Sequence, residues 1–343
     1  MFYSRFTASM AGLFVSCIST AVPIPASAAP AAPTLFEMMV SQAKNDPTTL
    51  VSLNDYGSFI QAVSGPFSLP GVTSASFQVT RGAVLGDGEF TRVVLPLSHS
   101  FENLEFNGMT PYSEVTLSVT DQQQNEWWMK DTPMQMMVRH NIDTTSIMGG
   151  IGVGFEPVEG LIIRPIILLG WSRIKDNSNP TTEMGQTFRA AVGEGLFIWE
   201  VDQLQYGPAI EAEYTTIVRK DIKVLAGLRV TQLNVETIET NTPGLEESNK
   251  FNSVSGNLEL DGTTSVTVSG RDMRWQYFMG ATRFDTATSN ALKFSWLGEI
   301  GAGLSFVDSQ QDLPFVETVG ITGSVILGDN DVDGWTVGVK AIF

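Results

Sequence analysis

The sequence predicts an all-β fold: an antiparallel transmembrane β-barrel of about 12 strands (range 10–14), with short N-terminal helices as plug or cap. Three observations predict it. From Ser74 to Phe343 apolar residues recur with a period of two, the mark of strands with an oily and a wet side. No stretch after the N-terminus holds the roughly 18 uninterrupted apolar residues of a membrane helix; the longest, Leu161 to Leu169, is split by Arg164 and Pro165. The final stretch, Gly334 to Phe343, alternates and ends on an aromatic residue.

That last stretch frames the rest. Trp335, Val337, Val339, Ala341 and Phe343 share one face; Thr336, Gly338 and Lys340 share the other, with Ile342 as the exception. Eight steps of about 3.3 Å, tilted roughly 40°, climb about 20 Å, close to the apolar band of about 25 Å of an outer-membrane barrel.

The chain has 343 residues and a net charge of −17. Residues 1–28 read as an export signal: Arg5, an apolar run from Met10 to Ile18, and Ala26-Ser27-Ala28 as a small-residue cleavage site. Cleavage would remove Cys17, the only cysteine, which excludes a disulfide scaffold and a Cys-ligated metal. It would also remove Arg5, taking the charge from −17 to −18. Such an acidic chain repels phosphates, so nucleic acid is not expected as a partner.

Residues 29–73 read as a linker and a helical segment. Thr34 with Glu37 forms a capping box for a helix from Leu35 to Lys44. Asp46-Pro47 opens a second helix, which runs to about Val63 and ends at Gly65-Pro66.

Residues 74–343 read as the barrel. Strand-like runs follow one another at 77–85, 93–97, 115–119, 147–155, 161–171, 188–192, 204–214, 222–230, 273–281, 292–306, 319–327 and 335–343. Weaker ones lie at 134–141 and 253–269. With twelve strands, the long stretch from about 238 to 272 is expected on the side of the short turns.

A soluble β-sandwich shows the same alternation, so the wet face carries the distinction. It bears both signs at mid-strand: Arg92, Arg139, Arg164, Arg189, Lys223, Arg229, Arg274 and Lys293 against Glu114, Glu211, Glu213 and Glu299. Glycine and serine are interleaved, as a narrow lumen requires. Trp171, Trp199, Tyr206, Tyr214, Trp275, Trp335 and Phe343 cluster toward strand ends, as an interfacial girdle would. The expected lumen-facing charges are Arg164, Arg189, Glu211, Glu213, Lys223, Arg229, Arg274, Lys293 and Glu299.

Candidate chemistry is sparse, and no catalytic, cofactor-binding or metal-ligating residue is expected. Ser98-His99-Ser100 are strand neighbours, so a serine and His99 point apart and do not build a nucleophile–base pair. His140, beside Arg139 and Asp143, is a candidate proton-transfer group. The two histidines have no companions at metal-ligand spacing. Glu211 and Glu213 have a spacing that suits acid–base work, but among arginines they are expected to be ion-paired. Gly149–Gly154 (G-G-I-G-V-G) has the letters of a nucleotide loop but alternates as a strand, so it reads as a narrow strand with exposed backbone.

Helical segments directly before the first strand (Thr34 to Val63), a barrel from Ser74, and the terminal W-T-V-G-V-K-A-I-F together resemble the solitary, passenger-less autotransporter translocator barrels. The resemblance implies a twelve-stranded barrel with an N-terminal helix inside or beneath it, and no enzymatic activity. The terminal motif implies recognition by the barrel-assembly machinery through Trp335, Val337, Val339, Ala341 and Phe343. The expected setting is the outer membrane of a Gram-negative bacterium. Outer-membrane lipid and lipopolysaccharide, periplasmic chaperones and the assembly machinery are the expected partners of a monomer without cofactors. A small porin-like channel and an outer-membrane barrel hydrolase are the alternatives.

Overall fold

The computed structural model describes residues 35–45, 61–62, 75–80, 87–129, 135–219, 221–242, 245–246, 248–268, 271–292, 294–307, 318–330 and 332–342. The expected export signal, Thr34, most of the second helix, Arg81, Lys293 and Phe343 lie outside them. A helix, α1, spans Leu35–Asn45. Of the expected second helix, Gln61 and Ala62 are described; both are helical and buried.

The strands are β1 (Ala75–Thr80), β2 (Asp87–Ser100), β3 (Met109–Trp128), β4 (Met136–Val158), β5 (Leu161–Asn177), the two-residue β6 (Asn179–Pro180), β7 (Ile198–Val218), β8 (Ile222–Thr240), β9 (Ser248–Val268), β10 (Arg271–Phe284), β11 (Trp296–Val307), β12 (Thr318–Gly328) and β13 (Val332–Ile342). Every pairing between them is antiparallel. The order runs β3-β2-β1-β13-β12-β11-β10-β9-β8-β7-β5-β4, and β4 pairs back onto β3. Among the described residues the sheet is therefore a closed ring of twelve strands, with β6 continuing the line of β5 along β4. Among the described residues the ring closes through β1, whose ladders join Ala75–Thr80 to Asp87–Arg92 of β2 and Ser76–Val79 to Val332–Trp335 of β13. Among the described residues no helix is long and apolar enough to cross a membrane, which says nothing of crossing by strands.

The rim where β4 meets β5 and β7 meets β8 is here called the near rim, and the opposite one the far rim. The connections holding α2 (Glu183–Val192) and α3 (Thr286–Leu292) lie at the far rim. Around the near two-thirds of the wall the faces are inverted relative to a water-soluble protein. Val93, Leu95, Val115, Leu117, Ile147, Ile151, Ile167, Leu169, Ile210, Leu228, Tyr277, Ile300, Ile321, Val325, Trp335 and Val337 are all exposed on the outside. Glu114, Ser118, Ser146, Arg164, Gln205, Arg229, Gln276, Ser305, Ser324 and Thr336 are buried within. A continuous apolar band of this kind is stable only against an apolar solvent, so lipid is the medium that fits it.

The wall is uneven. β10 to β13 hold 11 to 14 residues each, whereas β3, β4, β5, β7, β8 and β9 hold 17 to 23. A bilayer crossing needs about 9–11, so the longer strands overrun the apolar band at the far rim. There the alternation changes phase. On β4, Ile147 and Ile151 face out, but toward the far rim Arg139, Asn141 and Asp143 share that face while Met136, Val138 and Ile142 are buried inside. From residue 146 to 136, ten steps of about 3.3 Å tilted roughly 40° raise β4 by about 25 Å. The interior of this projecting wall holds an apolar cluster that includes Ile174, Trp199, Val201, Leu233, Val235, Leu245, Phe251 and Ala62.

Several sequence expectations are corrected here. Residues 188–192 are not a strand; they belong to α2, capped by the Thr182 hydroxyl accepting from Gly185 N and ended by Gly193 at φ 90°. Residues 253–268 belong to a full strand, β9, so the stretch from 238 to 272 is not one long connection. Of the expected run at 134–141, residues 136–141 supply the far end of β4 and not a strand of their own. Leu292 ends α3 and Phe294 precedes β11; both are buried, unlike the outward row from Trp296. Arg139 points out, and Trp199 is buried inside the projecting wall, not in a girdle.

Candidate functional site

The densest set of charges inside the barrel stands on four strands. Register places three of its members in one row: Arg164 on β5 is opposite Glu211 on β7, which is opposite Arg229 on β8. Arg164 Nη1 donates to Glu211 Oε1 at 2.8 Å and to Glu213 Oε2 at 3.3 Å. Arg229 Nη1 donates to Glu211 Oε2 at 3.0 Å. Its guanidinium also grips Glu114 of β3 through both nitrogens, Nη2 to Oε1 at 2.5 Å and Nη1 to Oε2 at 2.9 Å. The Tyr112 hydroxyl donates to the same Glu114 oxygen at 2.9 Å, and Arg164 lies over the Tyr112 ring, 5.1 Å from its centroid.

The Glu114–Arg229 pair spans strands that are not neighbours, since β4, β5 and β7 stand between them. It is therefore a brace across a sector of the lumen and not a rung of the sheet. The side-chain exposures of Glu114 and Arg229 are 4% and 7%, so the two charges sit in low dielectric. A forked guanidinium–carboxylate pair is among the stronger hydrogen-bonded arrangements. With three carboxylates to two guanidiniums, the cluster carries one net negative charge.

The glycine run on β4 makes the brace possible. Gly150 is directly opposite Glu114. A Cβ at Gly150 would stand 2.7 Å from Glu114 Cγ, and one at Gly152 would stand 2.4 Å from the Pro165 carbonyl oxygen. The bare backbone lets the Glu114 side chain lie across β4 toward Arg229.

Beside the brace lies a cavity of about 260 Å³, lined by Ser98, Ser100, Tyr112, Thr116, Glu213 and the brace residues among others. His99 borders it as well, and its ring meets Phe101 edge-on at 4.7 Å. Among the described residues no group of His, Cys, Asp or Glu is arranged to hold a metal.

A second cluster lies in the projecting wall. His140 Nδ1 is 2.9 Å from Asp176 Oδ2 and 2.7 Å from Ser178 Oγ, while its Nε2 is 3.3 Å from Glu126 Oε2. The Ser178 hydroxyl donates to Asp176 at 2.5 Å. Serine and aspartate share one ring nitrogen, and a carboxylate holds the other. That is a buried tie between β3, β4 and β5, in which the Ser178 hydroxyl gives its proton to Asp176 and not to the ring. The sequence neighbours Arg139 and Asp143 lie on the other face of β4.

The remaining expected charges are dispersed. Arg274 donates to Asp261 across β9 and β10 at 2.5 Å. Glu299 accepts from Ser324. Lys223 is exposed at the near end of β8. Arg189 lies on α2 at the far rim, where it pairs with Glu194 and donates to Asn179 Oδ1 at 2.7 Å. Of the terminal motif, Trp335 and Val337 face outward, Val339 and Ala341 fall within β13, and Phe343 lies beyond the described residues. Sequence reasoning did not single out Tyr112, Glu126, Asp176 or Ser178. Nothing local marks them, because their partners come from other strands.

No family model and no curated protein matches the sequence. Among solved structures, the chain is similar to the β-domain of the Bordetella autotransporter BrkA, at 13% identity and a TM-score of 0.47, covering 79% of this chain and 97% of that one. It is similar to the transport unit of the autotransporter AIDA-I from Escherichia coli, at 10% identity and a TM-score of 0.48, over 84% of this chain and 98% of that one. It is also similar to the translocator domain of the autotransporter NalP from Neisseria meningitidis, at 12% identity and a TM-score of 0.42, over 88% and 99%. The assignment of lipid and lumen faces rests on this chain's own residues.

Proposed function

We infer that the chain is an integral outer-membrane β-barrel of autotransporter-barrel type, structural or translocation-related, with its lumen occluded by the charged brace and the N-terminal helical segment. The observation that carries this reading is the inversion of the wall, apolar outside and polar within, together with a charge pair that bridges the interior. Gln61 adds support. It is buried, accepts from Asn249 Nδ2 at 2.7 Å and donates to Thr237 Oγ1 at 3.3 Å, so a helical residue from before β1 is tied to the inner side of β8 and β9. The far rim would then face the cell exterior. The W-T-V-G-V-K-A-I-F terminus would serve recognition by periplasmic chaperones and the assembly machinery, and lipopolysaccharide would meet the outer part of the apolar band.

Planar-bilayer conductance tests the occlusion. The wild-type barrel is expected to be closed. Deletion of residues 34–63, and separately the pair Glu114→Ala with Arg229→Ala, is expected to open a steady pore. A steady pore in the wild type would overturn the reading in favour of a small diffusion channel. One observation favours that second reading: the cavity of about 260 Å³ left beside the brace.

A further inference from the structure

Among the described connections at the near rim, one is unlike the others. Between β4 and β5, β7 and β8, and β9 and β10 only two or three residues intervene. The β2–β3 connection is a compact lobe. Phe101 N donates to Pro111 O and Leu104 N to Phe101 O, both at 2.9 Å, around a 3-10 turn at Glu102–Leu104. Phe106 and Met109 exchange both backbone hydrogen bonds at 3.0 Å around Asn107-Gly108, whose φ angles of 51° and 73° make the left-handed two-residue turn that Asn-Gly favours.

The lobe holds its own shape and yet presents large apolar side chains outward. Leu104 is 63% exposed and Phe106 68%, with Phe101 and Met109 exposed beside them. Rigid, exposed apolar groups of this kind mark a surface that something covers. Position identifies the cover. Met109 is in register with Phe155, at the near end of β4's outward apolar row. Phe101 continues the outward row of Val93, Leu95 and Leu97 past His99. The lobe is thus continuous with the lipid-facing band, just beyond its near edge. Its charge is also distinctive: Phe101 to Met109 holds Glu102 and Glu105 and no lysine or arginine.

We propose that the Phe101–Met109 lobe is an interfacial anchor, seated in the headgroup–acyl boundary of the near leaflet and selective for zwitterionic over anionic lipid. Apolar and aromatic side chains gain by entering that boundary, while the two glutamates are repelled by anionic headgroups. The proposal rests on the membrane-barrel reading, and its test separates the two.

Full-length chains with Cys17→Ser and one further change, Leu104→Cys, Val325→Cys or Gln123→Cys, are labelled with an environment-sensitive fluorophore. They are folded into vesicles of phosphatidylcholine, with and without phosphatidylglycerol, containing lipids spin-labelled near the headgroup or deep in the chain. The expected result is deep quenching at 325, shallow quenching at 104 and none at 123. Quenching at 104 is expected to weaken as phosphatidylglycerol is added, and to be lost when Phe106→Glu is introduced. Deep quenching at 325 with aqueous iodide quenching at 104 would overturn the anchor and leave the barrel standing, pointing to a protein cover instead. Absence of lipid quenching at 325 would overturn the barrel itself. Quenching at 104 that rises with phosphatidylglycerol would overturn the selectivity.

Discussion

Arg229 holds two carboxylates from two strands, and little water reaches either bond. Removing one partner of a buried pair strands the other, at a cost of about 3–5 kcal/mol. Arg229→Ala is therefore expected to destabilise the barrel by about that much in urea titrations in vesicles. The double change Glu114→Gln with Arg229→Met leaves no lone charge and is expected to recover most of the loss. Equal losses in both would show that the charges are not coupled. At the far rim, Asp285 and Asp329 act as caps. Burial works against ionisation of Asp285, but Thr288 and Asn252 donate to it and hold its carboxyl below the ordinary 3.8. Burial likewise opposes ionisation of Asp329, while Ser295 and the Trp296 amide outweigh it. A depressed folded pKa gives stability that is complete above the unfolded value and lost as pH falls through the folded one. The α3 and β12–β13 connections are thus expected to loosen below about pH 4 and not above it. Hydrogen exchange at the Thr288, Ser295 and Trp296 amides, followed from neutral pH downward, checks this. At this scale the row Arg164, Glu211 and Arg229 was legible, because alternation places such residues on the wet face. Glu114's partner was not, because 115 residues and three strands separate the two.

Elements show why the strand pattern was read correctly in one half of the wall and misread in the other. On β4 the apolar residues occupy odd positions from Ile147 to Phe155 and even positions from Met136 to Ile142, so the strand looks like two. The cause is a change of solvent: lipid outside the near part, water outside the far part. The rule that apolar residues face away from water holds in both, and the sign flips. Ile151→Arg should cost about 2–4 kcal/mol of folding stability in vesicles, as an arginine on the lipid face of a barrel does. Asn141→Arg, on the same face of the same strand, should be nearly neutral. Equal effects would place both positions in one medium. The α2 region misled for another reason. Phe188, Ala190 and Val192 alternate by letter, but Thr182 and Gly193 bracket a helix, and that punctuation was the usable signal. β9 was underrated because Gly256 and Gly262 interrupt its outward row of Val254, Leu258 and Leu260.

For the whole molecule, the expected twelve strands match the ring in number but not in membership: residues 188–192 lie in a helix, and β9 is a full strand. Closure was legible because the apolar face recurs along the entire chain after Ser74. The lopsided height was not, because nothing in a single strand says how far its partner extends. The short strands β10 to β13 form a low side; β3 to β9, with α2 folded at the far rim, form a high one. A spin-label scan of the odd positions of β4, from Met137 to Phe155 in lipid vesicles, reads the two media directly. Oxygen, which partitions into lipid, should reach labels from Ile147 to Phe155, and a polar nickel chelate should reach labels from Met137 to Thr145. Chelate access along the whole row, with the even positions dry and apolar throughout, would mean a water-soluble sheet and no membrane barrel.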